Sequence, residues 1–312
     1  DKLRLLSGRV SQLNQIRGIP SEDAIPLIDE VLRLCRVLGH HKKEVDGTLH
    51  LWGIHLVKVQ LAEAARLGQR ALTLADRSQD PVEICLASTM AANVAFYRGE
   101  YQAARDMFKR AVAHYRTDDC DIYRERFGLD AGMYANGYLC WVLALMDQPT
   151  LAMQAADRMD AAAEAYDTGY ARTFSAVFRA AAAFFMDEID LGEPLARQAL
   201  DLASEHDKRH WHAMAQIFLA RAADLRGEDG AVDAMRAGLS AYTATGVDLA
   251  RAYAHAWIAE ALIRSGELED AARELDLADD FAHSSGEVYY ASETLSLRGV
   301  LARRSGQETS VV

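Results

Sequence analysis

His206, His210 and His212, with Asp207 beside them, form the densest group of potential metal ligands in the chain. His206 and His210 stand four residues apart, a spacing that can put two zinc ligands on one helical face. His212 points elsewhere, and polar residues belong at such a junction, so the structural reading of these histidines is preferred. No metal and no cofactor is expected. His40-His41 and the pair His50/His55 are weaker candidates still. Nucleophilic catalysis has no frame: no G-x-S-x-G presents a serine, and no G-x-x-x-x-G-K-[ST] loop cradles phosphates. With 46 acidic residues, close carboxylate pairs arise by chance and carry no argument. Cys35, Cys85, Cys120 and Cys140 are scattered without a C-x-x-C, so they read as reduced thiols of a cytoplasmic protein. The chain is therefore expected to bind and not to catalyse.

The elements that would carry a binding surface show up as an internal repeat. A small residue is followed four places on by a bulky or small apolar residue, and three places later by another. The pattern sits at Ala24/Ile28/Val31, Ala64/Gly68/Ala71, Ala104/Phe108/Ala111 and Ala152/Ala156/Met159. It continues at Gly192/Ala196/Ala199, Val232/Arg236/Leu239 and Ala271/Leu275/Ala278. The steps between first members are 40, 40, 48, 40, 40 and 39. Spacings of four and three share one helical face, and small residues there let a second helix come close. Gly99-Glu100-Tyr101, Gly227-Glu228-Asp229 and Gly266-Glu267-Leu268 precede three of the anchors. Glycine ends one helix and the acid favours the positive start of the next. A further apolar helix precedes each turn, and the pairs end at stretches such as Leu38-Gly39-His40 and Ser285-Gly286. Residues 3–17 read as the opening helix, and Glu287–Arg304 as a capping helix.

Composition agrees. Half of the chain is apolar, and prolines number only 5 against 20 glycines, which suits helices packed on helices. No apolar run reaches eighteen residues, so no membrane span is expected. The net charge of −12 disfavours nucleic acid and anionic lipid as direct partners. The chain begins at Asp1 with no signal-peptide pattern, and is expected to be part of a longer protein.

The Gly-acid-aromatic-x-x-Ala turn with its phased small residues resembles the tetratricopeptide repeat (TPR). The average period, about 41, is longer than that family's 34 and overlaps the range of HEAT-like repeats; both are helix-pair solenoids. The expected fold is all-α: a right-handed superhelical solenoid of TPR-like helix-turn-helix repeats, about seven pairs plus a C-terminal capping helix. Residues 1–312 would form this single solenoid. The long step places an inserted irregular segment, loop or broken helix, at 114–132, and residues 305–312 read as a disordered tail. In tetratricopeptide repeats the first helices line a concave groove. That resemblance implies a ligand- or partner-binding groove containing Asn93, Tyr97, Tyr134, Trp141, Phe174, Phe184, Arg221 and Arg264. Asn93 would clamp a peptide backbone, and Arg221 and Arg264 would take a carboxylate or phosphate. The alternative for each aromatic residue is packing between repeats, and Arg221 could pair with Asp224 on its own helix. Trp141→Ala and Asn93→Ala are expected to weaken partner binding and to leave the array folded. Arg179 stands where other units have Leu or Ile, and must find a partner or reach solvent.

From about residue 80 onward the chain also resembles the C-terminal repeats of bacterial STAND-type ATPase signalling proteins, linked to cyclases or to transcription regulators. Gly128-Leu-Asp-Ala-Gly132, Gly238-Leu-Ser-Ala-Tyr-Thr-Ala-Thr-Gly246 and Ser284-Ser-Gly-Glu-Val-Tyr-Tyr carry that likeness. It implies a sensor or interaction arm whose groove takes a protein, a peptide or a small-molecule inducer. A freestanding adaptor scaffold that binds a partner in the same groove is the alternative.

Overall fold

The structure is a computed structural model, and it describes residues 22–306 together with Lys2, Leu5 and Leu6. The opening helix expected over residues 3–17 lies outside the described residues apart from Leu5 and Leu6, which are helical, and so does the expected tail beyond Gly306. Among the described residues there are fifteen α-helices and no strand. After a turn of 3-10 helix at Glu22–Ala24 come α1 (Ile25–Leu38), α2 (His41–Val57), α3 (Leu61–Ser78), α4 (Pro81–Tyr97) and α5 (Tyr101–His114). A second 3-10 turn, Thr117–Asp119, leads into α6 (Cys120–Phe127), so the stretch between His114 and Gly132 contains a short helix. Then follow α7 (Ala131–Leu145), α8 (Pro149–Tyr166), α9 (Gly169–Phe185), α10 (Ile189–Glu205) and α11 (Arg209–Leu225). The chain closes with α12 (Ala231–Thr243), α13 (Ala252–Ser265), α14 (Leu268–Ser285) and α15 (Ala291–Arg304). Neighbours in sequence pack as antiparallel pairs, which makes the fold an all-α helical-repeat solenoid.

One backbone device recurs at six helix pairs among the described residues. Val59, Gly99, Asp147, Asp187, Gly227 and Gly266 each take a left-handed conformation between the two helices of a unit. In each turn the next N–H reaches back to the carbonyl five residues earlier: Gln60 to His55, Glu100 to Ala95, Gln148 to Leu143, Glu188 to Ala183, Glu228 to Ala223 and Glu267 to Leu262, at 2.8–3.0 Å. This is the Schellman closure of a helix end. Only three of the six carry glycine. Asp tolerates the left-handed region, which explains two more; Val59 is strained there. The junctions between units are left-handed as well, at Gly39, Gln79, Gly128, Asp167, Asp207, Gly246 and Gly286. Asp80 and Thr168 cap α4 and α9 by accepting from Val82 N–H and Ala171 N–H.

The phased residues face inward as their spacing requires. Ala64, Ala104, Ala152, Ala196 and Ala271 are fully buried, as are Phe108 and Leu275. Complete burial of a ring such as that of Phe108 contributes about 2–3 kcal/mol. The sixth unit departs from the sequence reading. There Ala231, Met235 and Gly238 face the core, while Arg236 is exposed and Val232 half-exposed. A second left-handed glycine, Gly230, lengthens this turn and delays the start of α12 to Ala231, and its buried face lies one residue earlier than the repeat predicts. Burial of Arg236 without a partner would be far costlier than that slip.

Candidate functional site

The first helix of each pair lines the inside of the solenoid. Among them α4 and α7 are apolar nearly all round, whereas the second helices carry polar residues on one face. All of α4 is buried except Pro81 and Ala91. A helix without a polar face must be covered on every side. The inner wall is accordingly covered by the protein itself. Ring centroids run in a closed circuit across the interior: Phe96 to Trp141 at 6.2 Å, Trp141 to Phe185 at 5.6 Å, Phe185 to Tyr290 at 5.8 Å, Tyr290 to Tyr289 at 5.9 Å, and Tyr289 back to Phe96 at 4.9 Å. Tyr138 fills the adjacent space, 4.9 Å from Phe178 and 5.8 Å from Phe96.

The eight residues assigned to the groove all lie on first helices. Asn93, Tyr97, Trp141, Phe174, Phe184 and Arg221 are buried; Tyr134 is half-buried, and Arg264 is the most exposed. Trp141 stacks on Phe178 at 4.1 Å and donates its indole N–H to the Phe178 carbonyl at 2.8 Å. It is a core residue, so the expectation that Trp141→Ala leaves the array folded gives way. Phe174 stacks on Phe178 at 3.9 Å, and Phe184 on Phe218 at 5.7 Å. Arg221 donates to Asp224 on its own helix at 3.1 Å and to Glu260 on α13 at 2.5 Å, with its guanidinium 5.5 Å from the Trp257 ring centre. Arg264 donates to the same two carboxylates. Two arginines and two acids thus neutralise one another, and no charge is left for an anionic ligand. Burial pushes the Asp224 carboxyl up, while Arg264 and Arg221 hold it down.

Polar groups in the interior are less completely satisfied. Tyr97 and Tyr138 share a hydrogen bond between hydroxyls at 2.9 Å, and burial raises both phenols above their ordinary range. Tyr134 donates to the Asn93 carbonyl oxygen at 3.3 Å, yet the Asn93 amide nitrogen has no partner. One side of the wall remains partly open. Phe127 from α6, Tyr134 from α7, Tyr170 from α9 and His210 from α11 are all half-buried. They join through ring contacts: Phe127 to Tyr134 at 5.2 Å, Tyr134 to Phe174 at 5.8 Å, Phe174 to Tyr170 at 6.3 Å, and His210 to Trp211 at 4.4 Å. Desolvation pulls the His210 imidazole down to about 4, so it is neutral at physiological pH. Sequence reasoning missed Phe127 because it lies on the insertion, and placed neither Tyr170 nor His210 in the groove because they precede the repeat phase applied to the first helices.

The other candidates have structural roles. His206 packs its ring against Gly169, where an added methyl would meet it at 2.4 Å. Arg179 reaches α8 and pairs with Asp157 at 2.9 Å and with Asp160. No group of three or more His, Cys, Asp or Glu able to hold a metal occurs among the described residues, and none of their helices is long and apolar enough to cross a membrane.

Fold and inner wall together define an all-α repeat solenoid of TPR-like architecture. No family model matches the sequence, and no curated protein does. Among solved structures the chain is similar to a Rap protein complexed with competence and sporulation factor, with a TM-score of 0.62 and 13% identity over 97% of this chain and 86% of that one. At that identity the likeness is one of fold.

Proposed function

We propose that this chain is a non-catalytic sensor or interaction arm of a multidomain cytoplasmic signalling or transcription regulator, and that it binds an extended peptide segment of a partner. The observation that carries the reading is the half-open aromatic strip of Phe127, Tyr134, Tyr170 and His210, with the unpartnered Asn93 amide behind it. Flat rings with a few polar tips offer contact area to apolar side chains, and a free amide donor is suited to a peptide carbonyl. Tyr134 must swing aside for Asn93 to be reached, because its hydroxyl holds the Asn93 oxygen. The similar Rap protein, complexed with competence and sporulation factor, adds support at the level of architecture. A freestanding adaptor would use the same strip and differ only in what is attached to it.

Selection of a displayed random peptide library against the chain, followed by titration calorimetry of the enriched peptides, tests this. Asn93→Ala should weaken the best peptide about tenfold, equal to roughly 1.4 kcal/mol, for one lost backbone hydrogen bond. The fold should survive, since the substitution also removes an unsatisfied buried donor. Failure to enrich any peptide, or peptides indifferent to both Asn93→Ala and Tyr134→Ala, would sink the reading.

A further inference from the structure

Two linkers near the C-terminal end reach back to turns in the N-terminal half. The linker after α12 reaches the turn between α2 and α3: Asp248 N–H donates to the Val57 carbonyl at 3.3 Å, and Lys58 Nζ to the Gly246 carbonyl at 3.5 Å. The linker after α14 reaches the turn between α4 and α5: Val288 N–H donates to the Tyr97 carbonyl at 2.8 Å, and the Tyr101 hydroxyl to the Tyr289 carbonyl. The Tyr289 ring lies 4.9 Å from Phe96 and 5.6 Å from Tyr97. Gly99 completes the fit, since a methyl there would stand 3.3 Å from the Val288 carbonyl oxygen. These contacts bridge about 190 residues of sequence, and they are made by turns and linkers, not by one helix packing on another.

The two linkers are also tied to each other. Glu287 is fully buried and accepts from Ala250 N–H at 2.9 Å, while its second oxygen has no partner. Ala250 itself sits in the left-handed region, at φ 60°, where an alanine is strained. Tyr242 donates to the Leu249 carbonyl at 3.0 Å, and Trp257 donates its indole N–H to the Tyr290 hydroxyl at 3.1 Å. The paired linkers therefore form one piece that lies across the aromatic circuit.

We infer that this piece is a clasp: residues 246–251 and 286–290 open and close together against the turns at residues 57–60 and 97–101, and the closed form seals the aromatic interior. Four hydrogen bonds and the ring contacts of Tyr289 with Phe96 and Tyr97 and of Tyr290 with Phe185 hold it, with a strained residue and an unsatisfied carboxyl oxygen within it. Few backbone hydrogen bonds cross this joint, so it is expected to open before the helix pairs it connects, although Val247, Leu249, Tyr289 and Tyr290 are buried. The inference does not depend on the nature of the ligand.

Hydrogen exchange on the whole chain, with and without a lock, tests it. The Asp248–Val57 hydrogen bond brings the two backbones together, so Val57→Cys/Asp248→Cys, in a Cys120→Ser background, should cross-link on mild oxidation. In the unlocked protein the amides of Asp248 and Val288 should exchange at like rates, at least tenfold faster than amides in the middle of α4 and α7. Locking should slow Val288 at least tenfold, although Val288 lies outside the cross-linked loop. Tyr101→Phe, a mild change that keeps the ring, should speed both amides several-fold. A pair of cysteines that does not cross-link in the folded protein would overturn the clasp. So would a Val288 amide indifferent to the lock, or one already as slow as the core of α7.

Discussion

Replacing Glu287 by glutamine should stabilise the protein, and by more as the pH rises. Glu287 is fully buried, and desolvation pushes its carboxyl from 4.5 up to about 8, against the lowering pull of the Ala250 N–H and of Arg251. The tyrosines in its field, Tyr97, Tyr138, Tyr242, Tyr253 and Tyr289, are themselves raised and stay neutral. The folded state thus holds a proton that the unfolded chain releases above pH 4.5. Folding stability from this group is complete below pH 4.5, falls as the pH rises, and stops falling above pH 8. At about 1.36 kcal/mol per pH unit the loss reaches roughly 3 kcal/mol at pH 7 and nearly 5 kcal/mol at pH 9. Glutamine keeps the shape and an oxygen for Ala250 N–H, and its amide takes the place of the unpartnered oxygen. Groups that titrate elsewhere cancel when the variant is compared with the parent at each pH. Urea unfolding followed by tryptophan fluorescence at pH 5, 7 and 9 should show the stability gap widening by about 4 kcal/mol across that range. A gap constant to within about 1 kcal/mol would mean that Glu287 is hydrated or differently paired, and would refute the reasoning.

Trp141→Ala removes a stacked, hydrogen-bonded core ring and should cost about 3–5 kcal/mol, read as a lower urea midpoint; an unchanged midpoint would place Trp141 outside the core. Arg221→Ala leaves Asp224 and Glu260 with Arg264 alone and should destabilise by about 3 kcal/mol, a loss that Asp224→Ala in the same chain should partly relieve. Gly132→Ala would put a methyl 2.6 Å from the Tyr115 ring, whose hydroxyl is held by Asp130. It should lower the melting temperature by several degrees, for a cost of about 1–3 kcal/mol, unless Tyr115 moves freely.

The helix pairs were legible because their period is written in small residues. Ala64, Ala104, Ala152 and Ala271 recur at steps a helix-pair unit requires, and each is buried. The turns were only half legible. Gly99, Gly227 and Gly266 announced a left-handed residue, while Asp147, Asp187 and Val59 do the same work without a glycine to mark them. Register failed by one in the sixth unit because Gly230 adds length to a turn, and turn length leaves no periodic trace. The inner wall was legible as a set of aromatic positions and illegible as an environment. Tyr97, Trp141 and Phe184 lie on the predicted face, but what covers them comes from other units: Tyr289 on Tyr97, Phe178 on Trp141, and Phe218 and Trp257 on Phe184. Helical spacing within one unit holds no information about such a contact. Glu287 was invisible for the same reason: an acid after a Ser-Gly turn looks like a solvated helix start until the linker at Ala250 folds over it.

Composition and closure are linked. A solenoid whose first helices carried a polar inner face could stay open in water. Here α4, α7 and α9 are apolar almost throughout, with Phe96, Trp141 and Phe185 pointing across the interior. Left open, these rings would expose an apolar surface larger than soluble proteins usually tolerate, so the chain must cover them either with itself or with a partner. Tyr289 and Tyr290 supply the first solution, and their linkers are secured by a buried carboxyl that is comfortable only while protonated. A partner that supplied equivalent apolar contacts would compete with those two rings directly. Binding of such a partner and clasp closure would then be alternatives drawing on one surface, apart from the half-open strip at Phe127 and Tyr170, and each would weaken the other by the same factor.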